Sequence, residues 1–264
     1  MTLRKLFDHL KSDLILRKME YLSDQQGIIR RYLREKEGWD LHLEKSKQLI
    51  LKSLKTKKKG KVLVLGSGWL LDCPINELSQ NFHEVILADI LHPKQIIKKT
   101  NTLSNVHFLK EDLTGGLIEF IYKNIKPGNK YLLNALIPEI KSFSYPIPDD
   151  IDFVISLNIV SQLSVIITDY LKSLNTFSEN ELKEIATVIQ QTHVNSLPKN
   201  KTCLICDVEE ELFDDENKFI GVNPLVFSEL PFGNFSEKWK WKFDSSMTYR
   251  DDIKTYFNVI AVDF

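Results

Sequence analysis

The stretch that most limits how this chain can fold is Lys61-Val62-Leu63-Val64-Leu65-Gly66-Ser67-Gly68-Trp69-Leu70-Leu71-Asp72. Four apolar residues run without alternation into two glycines spaced i, i+2. An unbroken Val/Leu run fits a strand covered on both faces, the usual situation of a parallel sheet under helices. The glycines sit where such a strand turns sharply and where backbone without Cβ atoms lets a ligand approach. The stretch therefore reads as the nucleotide-binding turn of a doubly wound α/β domain. A ligand-free strand-to-helix turn uses the same Gly-x-Gly, so the motif alone leaves both readings open.

At 264 residues and 43% hydrophobic, the chain can bury a full core, and one domain plus an appendage is expected. No apolar run approaches the ~18–20 residues needed to cross a bilayer. Charge interrupts the first residues, so no signal peptide is expected and the compartment is read as cytoplasmic. Cys203 and Cys206 have C-x-x-C spacing inside an apolar strand-like run. Residues three apart on a strand face opposite ways, so two buried thiols are expected there and no metal site.

Charge is uneven. Residues 1–61 hold 17 Lys+Arg against 8 Asp+Glu, and the remainder 18 against 28. Such asymmetry marks either a basic arm for an anionic partner or a basic helical layer that docks on its own acidic domain. Residues 1–58 carry helical periodicity, with helices expected near 2–20, 24–36 and 40–56. The organisation predicted is an N-terminal helical segment over 1–58, serving as lid or substrate cap, and an α/β domain over 59–264. Tyr21, Tyr32, Trp39 and His42 cluster near the helix joints, as a wall over the glycine turn or as ordinary packing.

After the turn, the pattern predicts a helix over Asp72–Asn81 and a strand, Glu84–Asp89, that ends on a carboxylate. That acid lies about 20 residues beyond the glycines, where nucleoside-binding domains place an acid against ribose hydroxyls. A helix over Pro93–Thr102, a strand over Asn105–Leu109 and the acids Glu111-Asp112 follow. Prolines 127, 138, 146 and 148 predict turns through residues 113–150. Ile151–Leu157 reads as the fourth strand and leads into Asn158. Ser178-Glu179-Asn180-Glu181 has capping-box spacing and opens a helix to about Asn195. Thr202–Val208 is the fifth strand, followed by an acidic loop. Two late strands near Trp239–Phe243 and Tyr256–Phe264, with no helix between them, imply an antiparallel pair closing the sheet.

Together these elements resemble the class I S-adenosylmethionine-dependent methyltransferases over about residues 40–264. The resemblance implies a Rossmann-like doubly wound seven-stranded sheet with an antiparallel last strand, and S-adenosyl-L-methionine as cofactor. It places Gly66, Ser67 and Gly68 in the glycine motif, Asp89 on the cofactor ribose and Asp112 on the adenine amino group. Asn158 falls in the fourth-strand motif beside the methionine part. Leu197-Pro198-Lys199-Asn200 is similar to the turn before the family's fifth strand. Two positions depart: Val64 stands where the family has an acid, and Leu70 where it has a third glycine. Asp72 either supplies the lost carboxylate toward the cofactor's amino group or lies on a helix surface. Asn158, Gln162, Tyr145 and His193 are possible acceptor-side residues, each with a structural alternative.

A sulfonium already activates its methyl group, so the protein chiefly aligns the acceptor and no catalytic dyad need be legible. The catalytic residues and the acceptor are therefore not readable, although a small molecule is favoured over nucleic acid. The alternative is a non-catalytic methyltransferase-like binding or scaffold protein.

Overall fold

The computed structural model describes residues 14–19, 21–128 and 131–264. Residues 14–18 are helical. The rest of the helix expected near 2–20 lies outside the described residues. Helices α1 (Tyr21–Arg34) and α2 (Lys36–Ser53), with a short 3-10 turn over Leu54–Thr56, precede β1 (Lys61–Leu65). Then come α3 (Ile75–Asn81), β2 (Glu84–Asp89), α4 (Lys94–Lys99), β3 (Val106–Lys110), α5 (Leu117–Asn124) and α6 (Leu133–Ser142). The second half comprises β4 (Phe153–Leu157), α7 (Gln162–Ser173), α8 (Glu179–Ser196), β5 (Thr202–Phe213), β6 (Phe219–Pro224), β7 (Phe235–Asp244) and β8 (Lys254–Asp263).

The sheet runs β3-β2-β1-β4-β5-β8-β7, with β6 paired to β5 off that path. The first five strands are parallel, β8 is antiparallel to β5, and β7 is antiparallel to β8. The fold is Rossmann-like, and its last strand runs antiparallel as expected. The strand order reverses at β1, whose neighbours are β2 and β4, and a ligand crevice forms at such a switch point.

Two apolar cores cover the sheet, one on each face. Leu63, Leu65, Val154, Leu204 and Cys206 face α5 to α8, whereas Val62, Val64, Ile155, Cys203 and Ile205 face α2, α3 and the aromatic side chains of β7. Cys203 and Cys206 thus lie on opposite faces, both buried, as strand alternation requires. Alternation in β7 turns Trp239, Trp241 and Phe243 inward, where Trp39 and His42 of α2 meet them. Trp39 also donates its indole N–H to the Phe243 carbonyl at 2.9 Å.

Four lysines of the basic N-terminal stretch, two on α2 and two between α2 and the start of β1, pair with the chain's own acids. Lys45 and Lys52 pair with Glu237, Lys57 with Asp263, and Lys61 with Glu84 and Asp150. Of the two readings of the charge asymmetry, the docked layer accounts for these lysines.

Several element boundaries differ from expectation, and three of the differences have a local reason. Helix α3 begins at Ile75 rather than Asp72, because Leu70 adopts a left-handed φ of 51° and Pro74 caps the helix. Pro138 sits inside α6 instead of breaking it. Strand β5 continues past Val208 to Phe213 and forms a hairpin with β6. Its acids are paired across the sheet: Glu211 with Lys240, and Glu210 with Arg250 and Asn223.

Candidate functional site

At the carboxyl end of β1 the chain turns through Gly66 at φ +81° and Gly68 at φ +39°. A Cβ on Gly66 would meet the Leu157 carbonyl oxygen at 2.8 Å and the Ile159 side chain at 3.1 Å. Only glycine lets the turn pass this close to the end of β4. At Gly68 the requirement is conformational, since an added Cβ would meet only Asp89 Oδ2 and the Gly66 carbonyl, near 4 Å. Ser67 is buried, its hydroxyl 3.5 Å from His92 Nδ1.

The turn and the end of β2 are joined directly. Gly68 N–H donates to Asp89 Oδ2 at 2.8 Å, and Leu91 N–H donates to Oδ1 at 3.2 Å. Helix α1 closes over the same carboxylate. The Tyr21 hydroxyl donates to Oδ1 at 3.3 Å, Gln25 Nε2 to the Leu91 carbonyl at 3.0 Å, and Trp69 Nε1 to the Gln25 carbonyl at 2.9 Å. Burial pushes the Asp89 carboxyl above its ordinary value, against the pull of the Gly68 and Leu91 hydrogen bonds.

A second polar group lies at the ends of β1 and β4. Asn158 sits at φ 48° just beyond β4, and its Nδ2 donates to Asp72 Oδ2 at 2.6 Å. Asp72 is therefore not on a bare helix surface. His42 Nε2 is 3.2 Å from Asn158 Nδ2 and 3.8 Å from Asp72 Oδ2. Trp239 donates its indole N–H to His42 Nδ1 at 3.2 Å, which leaves the imidazole hydrogen on Nε2. The ring stacks on Trp241 with centroids 3.9 Å apart. Leu70, in place of a third glycine, turns its side chain into the core beneath this group. Its left-handed backbone stores strain of about 1–2 kcal/mol at the site.

Asp112 stands apart, after β3. Its Oδ1 accepts from Thr114 N–H at 2.9 Å and from the Thr114 hydroxyl at 2.6 Å. Burial raises its carboxyl from the ordinary value, opposed by Thr114 and by the amides that open α5. His193 and Tyr145 lie on the other side of the sheet from Asn158. His193 Nε2 is 2.9 Å from the Ser156 hydroxyl, and burial pulls the imidazole down to about 4. The two residues line a cavity of only about 10 Å³, which is room for no more than a water.

The structure thus brings Gly66, Ser67, Gly68 and Asp89 together, and Asn158 with Asp72 and His42. Gln25 escaped the sequence reading, and the β5 carboxylates beyond Asp207 were read as a loop. Asp207 had a usable signal, an acid closing an apolar strand, whereas nothing local marked Gln25. Among the described residues no cluster of His, Cys, Asp and Glu is arranged to hold a metal ion, and no helix is long and apolar enough to cross a membrane.

No family model matches the chain, and no curated protein matches it. Among solved structures it is similar to the N-methyltransferase NodS from Bradyrhizobium japonicum WM9 in complex with S-adenosyl-l-homocysteine, at 12% identity and TM-score 0.36, covering 84% of this chain and 87% of that one. It is similar as well to a SAM-dependent methyltransferase from Aquifex aeolicus, at 18% identity and TM-score 0.32, covering 87% and 93%. A DhpI–SAM–HEP complex is similar at 11% identity and TM-score 0.36, covering 93% and 97%. These likenesses are distant, and the fold class rests on strand order and direction.

Proposed function

We propose that the chain is a class I methyltransferase that uses S-adenosyl-L-methionine to methylate a small molecule in the cytoplasm. The observation that carries this reading is the 2.8 Å contact between Gly68 and Asp89, which sets the glycine turn against an acid at the switch point of the sheet. The residues present fit such a cofactor. Asp89 would take the ribose hydroxyls, Asp112 the adenine amino group, and the backbone of Gly66, Ser67 and Gly68 the bend between adenosine and the amino acid. Asp72 and Asn158 would hold the amino group in place of the acid that Val64 lacks. Asn158 Oδ1 is buried with no hydrogen-bond partner, an acceptor that an ammonium would satisfy. When bound, the cofactor supplies a sulfonium methyl already activated for transfer.

The work left to the chain is alignment and exclusion of water. In this reading residues 1–58 form a cap on the domain of residues 59–264. Tyr21 and Gln25 latch it over Asp89, and His42, pinned by Trp239, turns its Nε2 hydrogen toward Asp72. Opening at Tyr21 would release one Asp89 oxygen for a ribose hydroxyl.

One observation favours a second reading, a non-catalytic methyltransferase-like binding or scaffold protein. Asp89 is already satisfied by Gly68, Leu91 and Tyr21. Native mass spectrometry of the freshly purified protein separates the two. Co-purifying adenosylmethionine or adenosylhomocysteine supports the enzyme; a protein that stays ligand-free after incubation with either supports the scaffold.

A further inference from the structure

Strand β6 leaves a sheet edge open that neither the cap nor the crevice uses. Among the described residues β5 is its only strand partner. None of the residues Phe219–Pro224 is charged. Phe219, Ile220 and Val222 are 54%, 53% and 50% exposed. The β7 edge of the same sheet is built differently, with Lys238, Lys240 and Lys242 exposed between buried aromatic residues. Charged side chains, lysine above all, keep an edge from recruiting a further strand. Strand β6 has no such guard.

Register determines what this edge offers. Leu225 N–H donates to the Val208 carbonyl at 2.8 Å. Counting back along the ladder, Asn223 and Gly221 face β5, and Val222 between them turns its N–H and C=O to solvent. Pro224 has no N–H to offer, so any added pairing centres on Val222. On one face of the hairpin Val222 stands opposite Glu211, and Phe219 opposite Phe213. The Phe213 ring meets the Phe219 ring at 5.7 Å and the Tyr256 ring at 5.2 Å between centroids. These side chains form an apolar strip beside the open edge, a seat for alternate side chains of an added strand.

Charge selects the occupant. The hairpin from Glu209 to Pro224 holds six acids and one lysine, Lys218. Glu210 pairs with Arg250 and Glu211 with Lys240. Lys254 bonds the turn at the Asp215 carbonyl and at Asn217 Oδ1, 2.7 and 2.8 Å away. Six acids against Lys218, Lys240, Arg250 and Lys254 leave the hairpin two charges negative. Glu209, Asp215 and Glu216 are exposed, and among the described residues none of the three has an ion pair. Two copies joined at β6 would bring both negative hairpins together, whereas a basic strand neutralises one.

We propose that β6 is a docking edge for an extended basic segment of a partner protein, which adds a strand beside Val222 and sets its lysines or arginines against Glu209, Asp215 and Glu216. Backbone hydrogen bonds supply the attachment, the apolar strip seats every second side chain, and the acids set the choice of partner. The edge shares no residue with the proposed cofactor site, so the assignment goes beyond the methyltransferase reading and does not rest on it.

The test is amide hydrogen exchange in the full-length protein, read at the Val222 N–H by NMR. The probes are short synthetic peptides at equal concentration: alternating Lys-Val, alternating Glu-Val, and Lys-Pro-Pro repeats matched in charge to the first but unable to form a strand. The Lys-Val peptide is expected to slow Val222 exchange about fivefold or more, an effect that fades as salt rises, while the other two leave the rate unchanged. No protection by Lys-Val, or equal protection by either control, overturns the proposal; this wild-type comparison needs no variant to fold. Protection that grows with protein concentration in the absence of peptide also overturns it and makes a second copy the occupant. Glu209→Lys combined with Glu216→Lys is expected to shift the preference to the Glu-Val peptide, and a folded variant that still prefers Lys-Val contradicts the role given to the acids.

Discussion

Gly66 is the residue at which a single added carbon does most harm. A Cβ there meets a backbone oxygen at 2.8 Å, and the backbone is already left-handed. Gly66→Ala is expected to cost about 2–4 kcal/mol, read as a lower denaturant midpoint at unchanged slope; a loss under 0.5 kcal/mol means the turn is looser than described. His193 makes a different prediction. Its folded value, about 4, lies below the ordinary 6.5, so between these values the unfolded chain binds more protons. His193 therefore contributes stability that is full above pH 6.5 and lost as pH falls toward 4, on the order of 3 kcal/mol. Asp207 runs the other way. Its folded value, about 7, exceeds the ordinary 3.8, so its contribution is full below 3.8 and lost as pH rises to 7. Denaturant melts of His193→Gln and Asp207→Asn across pH 4–7 should differ from wild type with opposite slopes; parallel curves contradict both assignments.

Among the elements, α1 and α2 connect fold to site. Trp39 of α2 is 2% exposed, packs against Trp241 and Phe243, and donates to a β7 carbonyl. Trp39→Ala should cost about 3–5 kcal/mol and loosen His42 with it; a melt unchanged in temperature would mean that the cap docks through its lysines instead. The α1 latch is lighter. Tyr21→Phe deletes one hydroxyl on Asp89 and should speed adenosylhomocysteine association a few-fold in stopped flow, because a hydrogen bond of this length is worth about 1 kcal/mol. Unchanged association would show that α1 does not gate the site.

The parallel strands were legible because each is a short apolar run closed by a glycine, an acid or an asparagine. The capping box at Ser178 forms as its spacing requires, with Glu181 returning its carboxylate to the Ser178 amide at 2.8 Å. The β5–β6 hairpin was illegible because its acids imitate a loop; only their cross-strand partners, Lys240, Arg250 and Asn223, make them strand residues. Asp72 was ambiguous for a similar reason, since its partners lie 30 and 86 residues away in His42 and Asn158.

Over the whole molecule, a doubly wound sheet gathers distant residues at one edge, and helix α1 lies over that edge through Tyr21 and Gln25. Asp89 and the glycine turn are expected to form one adenosine-binding surface. Isothermal titration calorimetry of adenosylhomocysteine against wild type and Asp89→Ala tests this most directly. The expected result is saturable one-site binding to wild type, weakened by about tenfold or more in a variant that still folds, since a hydrogen-bonding carboxylate is worth about 1.5–3 kcal/mol. Folded wild-type protein that gives no binding heat at any temperature, or an Asp89→Ala variant that binds equally well, would contradict it.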